Sequence, residues 1–300
     1  MGGFLVWYSL TIVSPEELVQ YFKSANYSWI ALGLFFGILS HLSRAYRWKF
    51  LLEPLGYKPR FVNSTLAVLV AYLMNIFLPR AGEVTRAAVM SNYENIPFEK
   101  GFGTIVAERL ADLVMMLIII TITLFIQFDF IWGLLTKDFN PIKTITSLLI
   151  VIGFFVAFIL YIKKGKSKFA LKVKGFFLGL KDGILSIFKM KNKWAFIFHT
   201  VFIWVMYVAM FWATIPAVDG LNVPIGGILI GFIAGGFSIA ATNGGVGLYP
   251  VAVAGALALF GIDKVTGNAF GWIMWTAQTA MIIVFGGLAF LLLPVVNKNK

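Results

Sequence analysis

Cysteine is absent from all 300 residues, which excludes disulfides and thiol chemistry and leaves the redox compartment unreadable. Charge is scarce as well. Asp, Glu, Lys and Arg make up 13% of the chain, against roughly a quarter in a soluble domain, so most of the exterior must face something other than water. The two histidines, His41 and His199, stand too far apart to show metal-ligand spacing, so no metal or other cofactor is expected. No Gly-rich loop ending in Gly-Lys is present, which argues against ATP-driven transport by this chain. Residues 1–13 are apolar but lack a basic leader and a clear cleavage site, so they do not read as a signal peptide.

What is present is hydrophobic: 60% of residues are apolar, in recurring runs of a length that crosses a hydrocarbon core of about 30 Å. Such runs are too long for barrel strands, and only helices otherwise satisfy the backbone in lipid. The expected fold is therefore an all-α polytopic membrane protein. Full spans are expected at 28–50, 103–128, 142–162, 194–215 and 269–293, with 2–13 as a short first one, as if the chain began inside that helix. Trp29, Trp48, Trp132, Trp194 and Trp272 lie near the ends of apolar runs, where amphipathic rings favour the interface. Two further apolar stretches are broken. Residues 61–78 run into Pro79-Arg80-Ala81-Gly82-Glu83, and residues 225–241 run into Thr242-Asn243-Gly244-Gly245-Val246-Gly247.

The net charge of +12 is unevenly placed. Residues 163–193 hold ten lysines and one acid, Asp182, a net +9. In a membrane protein such segments mark the cytoplasmic side, so nucleic acid is not an expected partner. The segment 44–60 is also basic, whereas 129–140 carries one lysine and two acids and reads as external. Counting crossings, 61–102 must enter and leave by the inner face and 225–262 by the outer face. Each is expected to form a broken or re-entrant helical hairpin, giving about six full spans plus two hairpins. The halves, 1–128 and 142–300 around an external loop at 129–141, then read as inverted repeats, with a substrate site at their interface. Within the basic segment, residues 169–188 carry an apolar helical stripe suited either to the membrane interface or to packing over the bundle. Gly33 and Gly37, and Gly227, Gly231 and Gly235, have the four-residue spacing of close helix contacts.

The chemistry concentrates in Asn75, Arg80, Glu83 and Arg86, followed by Glu108, Arg109 and Asp112. Ionisable groups at membrane depth are costly unless paired or wetted, which makes them functional candidates. Glu108 and Asp112 are four residues apart on one helix face, an unfavourable like-charge spacing that calls for a cation between them. Arg80 or Arg86 from the hairpin, with Arg109, could supply it. Those three arginines balance three acids, and Arg44 and Arg47 then leave a surplus of two positive charges, suited to an anionic headgroup. A structural ion-pair lock is the alternative.

The segments Asn75-Ile-Phe-Leu-Pro79-Arg80-Ala-Gly82-Glu83-Val-Thr-Arg86 and Glu108-Arg109-Leu-Ala-Asp112 resemble the lysylphosphatidylglycerol-synthase transmembrane-region family, which includes the flippase domain of the multiple peptide resistance factor. Arg44-Ala-Tyr-Arg47-Trp48 and Gly244-Gly245-Val246-Gly247 also resemble its pattern. Where the family often places an acid after the glycines, this chain has Tyr249-Pro250, so no role for that acid carries over. The resemblance implies a flippase-like fold in a prokaryotic cell membrane, with an anionic membrane lipid as substrate. The headgroup would meet Arg44, Arg47, Asn75, Arg80, Glu83, Arg86, Glu108, Arg109 and Asp112, and Thr242, Asn243, Gly244, Gly245 and Gly247 would form the second gate. Synthases of this kind use a separate soluble domain, and the chain ends soon after its last span, so enzymatic activity is not expected. The competing expectations are a non-transporting scaffold for an envelope lipid enzyme, and a membrane-embedded enzyme using Glu108 or Asp112.

Overall fold

The computed structural model describes residues 2–78, 80–136, 190–242 and 244–298, with scattered positions between 146 and 174. Among these residues the secondary structure is entirely helical. Two compact units are formed, Met1–Ile120 with Asn192–Lys300, and Thr121–Lys191. The second holds α7 (Phe128–Thr136), a helix where a loop was expected. Most of the basic segment 163–193 with its apolar stripe, and most of 142–162, lie outside the described residues, as do Pro79 and Asn243.

In the first unit, α1 (Gly2–Ile12) is followed by α2 (Pro15–Ser24), which the hydrophobic runs do not reveal because it is short and amphipathic. Its start is nonetheless well signalled: Ser14 caps it, Pro15 opens it, and Glu17 closes a reciprocal capping box. Next come α3 (Tyr27–Leu52), capped by Asn26, α4 (Phe61–Phe77), α5 (Ala81–Glu94) and α6 (Phe98–Ile126), of which residues up to Ile120 belong to this unit. After Asn192 the chain forms α8 (Lys193–Thr214), α9 (Ile225–Ala241), α10 (Leu248–Ala258) and α11 (Lys264–Val296), the last capped by Asp263.

Among the described residues, four helical stretches are long and apolar enough to cross a membrane: Tyr27–Leu55, Phe98–Ile126, Lys193–Ala217 and Lys264–Val296. The remaining expected full spans are not all of this kind. The 11 residues of α1 rise about 16 Å, half a hydrocarbon core, which makes α1 one of the shorter apolar helices. Its position is fixed by the glycine-rich turn after α9: a Cβ on Gly247 would come within 2.5 Å of the Val6 backbone nitrogen.

Both broken stretches are helical hairpins with a 17-residue first arm, α4 leading to α5 and α9 to α10. They turn by different means. At the first, Arg80 takes the left-handed conformation (φ 60°) and Asn75 Oδ1 accepts the backbone N–H of Gly82 at 2.8 Å, capping α5 from the facing arm. At the second, Gly244, Gly245 and Gly247 all have positive φ, which side chains other than glycine rarely adopt. The packed centre lies where α3, α8, α10 and α11 meet, around Phe211, Val253, Leu257, Phe270 and Ile273. Gly33 sits directly against α8, since a Cβ there would fall 2.4 Å from Thr214 Oγ1. The four-residue glycine spacing thus marks close helix contact, as expected.

Gly82 carries the tightest contact in the first hairpin. A Cβ would stand 2.3 Å from the Ala71 carbonyl oxygen and 2.6 Å from Asn75 Nδ2. The expected result for Gly82→Ala is a loss of about 1–3 kcal/mol through overpacking. Gly103→Ala, where a Cβ meets nothing within 4 Å, should leave the midpoint unchanged or slightly raised. Thermal unfolding in detergent compares the two, and equal midpoints would remove the close-approach argument.

Candidate functional site

Four helices build one buried polar lattice. Arg44 and Arg47 project from one face of α3, Arg86 from α5, Glu108 and Asp112 from α6, and Thr200 and Tyr207 from α8. Arg44 Nη1 donates to Glu108 Oε1 and Asp112 Oδ2, both at 2.7 Å. The cations that bridge the two acids are therefore on α3, Arg44 and Arg47; of the expected Arg80, Arg86 and Arg109, Arg86 reaches Glu108, Arg109 stands 3.8 Å from Asp112, and Arg80 meets neither. Arg47 Nη2 donates to Asp112 Oδ1 at 3.0 Å and lies 3.2 Å from Glu108 Oε1, while its Nη1 donates to Thr200 Oγ1 at 3.0 Å. Arg86 forms a bidentate fork on Glu108, at 3.1 and 3.0 Å. Such planar forks are the geometry guanidinium favours over ammonium.

Trp48 was expected at an interface but is fully buried. Its ring lies 3.7 Å beneath the Arg86 guanidinium carbon, and its Nε1 donates to Thr104 Oγ1 at 2.9 Å. A cation stacked on the ring face and a partner for the indole N–H account for this position. Tyr72 and Tyr207 were also not anticipated. Their hydroxyls are 3.1 Å apart, and Arg44 Nη2 reaches the Tyr207 hydroxyl at 3.5 Å. No spacing in the sequence announces residues that come from separate helices.

The remaining candidates sit around this lattice. Arg109 Nη2 donates to Glu83 Oε1 at 2.8 Å, joining α6 to α5 at a partly exposed position, and Arg109 Nη1 stands 3.8 Å from Asp112. Asn75 serves the hairpin turn. Arg80 is exposed beside it and pairs with no acid among the described residues. The described residues of the second turn engage other parts of the fold. Gly244 oxygen accepts Trp275 Nε1 at 2.7 Å, Thr242 Oγ1 donates to the Ser238 carbonyl at 2.8 Å, Gly245 packs on Tyr249, and Gly247 meets α1. Tyr249 is itself a packing residue whose ring covers Gly235.

The charge balance is the chemically informative quantity. The buried members are Arg44, Arg47, Arg86, Glu108 and Asp112, three cations against two anions, a net +1. The Glu83–Arg109 pair is neutral and Arg80 adds one more positive charge, so the surplus of two is divided between the buried lattice and the hairpin tip. The Nε atoms of Arg44 and Arg86 are buried without a hydrogen-bond partner among the described residues. Both arginines line a cleft between α3, α4, α5 and α6, with Tyr72, Asn75, Glu83 and Arg109. Its free volume of about 10 Å³ is enough for roughly one water.

The family described as the lysylphosphatidylglycerol synthase TM region matches residues 1–292. The chain belongs to this family. It is 30% identical over 106 residues to the UPF0104 membrane protein of Methanocaldococcus jannaschii, covering 34% of this chain and 32% of that one. It is 29% identical over 102 residues to glycosyltransferase AglD of Haloferax volcanii, covering 34% of this chain and 16% of that protein. The matched segment thus spans a third or less of either relative. No solved structure matches the chain.

Removing one partner from a buried lattice leaves uncompensated charge, whereas a partly exposed pair contributes little. Glu108→Gln would face three buried guanidiniums with one carboxylate. It should lower stability in detergent by about 3–5 kcal/mol, and Glu83→Gln by less than about 1 kcal/mol. Thermal unfolding decides, and a Glu108 variant as stable as the Glu83 variant would contradict the lattice.

Proposed function

We propose that this family member is a flippase-like transporter or scramblase of an anionic lipid, of the phospholipid or polyprenyl-phosphate type, whose headgroup is received at the arginine cleft. The single observation that carries it is the buried surplus of positive charge, with Arg44 Nε and Arg86 Nε unpartnered at the cleft wall. A phosphate oxygen supplies the charge-assisted acceptor that these N–H groups lack, and guanidinium is suited to it in shape. The family's own description is that of a lipid synthase's membrane region, which supports a lipid as the ligand. A relative bearing a glycosyltransferase name is compatible with work on lipid-linked substrates.

The cleft is too small for a headgroup in this conformation, so α5 must part from α6 to admit one. The contact at its mouth is the Arg109–Glu83 pair, a solvent-screened bridge of the weak kind. In this reading the first hairpin opens the site from the cytoplasmic face, with Arg80 at its tip. The second hairpin, turning at Thr242 to Gly247, gates from the opposite face. The pairing of a 17-residue arm with a shorter return arm in both hairpins supports an inverted-repeat architecture. The basic segments 44–60 and 163–193 would face the cytoplasm of a prokaryotic cell. The chain would move lipid without performing enzymatic chemistry of its own.

One observation favours a second reading, a non-transporting scaffold: the lattice ties α3, α5, α6 and α8 together as a fold lock would. Reconstitution into vesicles carrying a fluorescent anionic phospholipid separates the two. Arg86→Gln should slow transbilayer movement by about 10- to 100-fold, the worth of a charge-assisted contact. The exposed Arg80→Ala, which leaves the lattice intact, should slow it several-fold with an unchanged melting midpoint. Wild-type rates in both variants, with lowered stability in Arg86→Gln alone, would establish the scaffold instead.

A further inference from the structure

On the other side of Tyr72 from the arginine cleft lies a second cavity, of about 170 Å³, between α3, α4 and α11. Ile38, Leu42, Leu69, Met281 and Phe285 make its walls almost wholly apolar. Next to Phe285 on α11, Gly286 allows a close approach to α4, since a Cβ there would stand 2.7 Å from Leu73 Cβ. His41 also lines it, and it is the anomaly. The residue is only 7% exposed, and Nε2 has no hydrogen-bond partner among the described residues. Nδ1 is 3.5 Å from Ser40 Oγ, the outer limit of a hydrogen bond, and Ser40 already donates to the Gly37 carbonyl at 2.6 Å. A leucine or phenylalanine would line the same wall without burying an unsatisfied nitrogen.

Tyr72 joins the two cavities. Its ring packs against His41 at a tilt of 38°, with centroids 4.4 Å apart, while its hydroxyl reaches Tyr207 and through it the Arg44 guanidinium. One face of this side chain is therefore in the apolar cavity and its tip is in the charged lattice. His41 precedes Arg44 by three residues on α3, so the two lie on the same helix face about 4.5 Å apart along the axis. A ligand spanning both cavities would present an anionic group at Arg44 and Arg86, a polar atom a few bonds away at His41, and hydrocarbon beyond.

We infer that the cavity receives the first part of a hydrocarbon tail belonging to the lipid whose phosphate occupies the arginine cleft, and that His41 Nε2–H donates to the oxygen linking that tail to glycerol. This rests on the cleft as the headgroup site and narrows the lipid class. A glycerophospholipid carries linkage oxygens at the required remove from its phosphate. A polyprenyl phosphate has only hydrocarbon below its phosphate ester and leaves His41 unsatisfied.

The discriminating experiment uses the full chain in detergent and measures binding of phosphatidic acid and of a polyprenyl monophosphate, two phosphate monoesters that differ in the linkage oxygens. His41→Phe keeps an aromatic ring against Tyr72 and removes the nitrogen. It should weaken phosphatidic acid about five- to tenfold, the worth of one neutral hydrogen bond, and leave the polyprenyl phosphate within about twofold. Leu69→Trp, which fills the cavity, should weaken phosphatidic acid by a similar factor. Unchanged phosphatidic acid binding in either variant, or equal weakening of both lipids by His41→Phe, would overturn the inference while leaving the cleft in place. Arg86→Gln should weaken both lipids, and unchanged binding of both there would instead remove the cleft as the headgroup site.

Discussion

Glu108 and Asp112 stand one turn apart on α6, and their charges repel unless cations are held between them. Arg44 meets both carboxylates at 2.7 Å, and Arg47 and Arg86 close the lattice from either side. In a low-dielectric interior each of these groups is expensive to bury alone, so the set stands or falls together. That condition fixes the register of α3 against α6. It also brings α5 inward, because Arg86 must reach Glu108, and it anchors α8 through Thr200 and Tyr207. Pairing is complete for the carboxylates and incomplete for the guanidiniums, which makes the same lattice both a structural tie and an anion receiver.

Two devices hold the first hairpin in the position this lattice requires. Asn75 caps the second arm from the first, and Gly82 gives up its side chain so that the arms can touch. Trp48 then supports Arg86 from below, its indole N–H satisfied by Thr104. Tyr72 forms the boundary on the far side, polar at its tip and apolar along its ring. The charged cleft and the hydrocarbon-lined cavity consequently lie a single side chain apart, an arrangement matched to an amphipathic ligand.

Much of this was legible in the residues themselves. The apolar runs at 28–50, 103–128, 194–215 and 269–293 correspond to α3, α6, α8 and α11, because the length needed to cross a bilayer is a one-dimensional property. The breaks near Arg80 and Gly244 were visible for the same local reason, backbone conformations that apolar helices do not take. The resemblance carried by residues 75–86 and 108–112 extends to a family match over residues 1–292. The short helix α2 was hidden because its 10 residues are amphipathic and charged.

The order of residues alone was enough to read a helical membrane protein with ionisable residues in two of its helices, two broken arms, and more arginines than acids among the charged candidates. Composition and spacing are sufficient for that, since they express solvent and backbone constraints acting residue by residue. Helix packing was needed to show which arginines bridge the acids, that Trp48 lies beneath Arg86 and not at an interface, and that His41 and Tyr72 border a cavity. Those facts join α3, α4, α5, α6 and α11, helices that lie far apart along the chain. Salt bridges and stacking depend on distances of a few ångströms, which helix packing sets and sequence proximity does not.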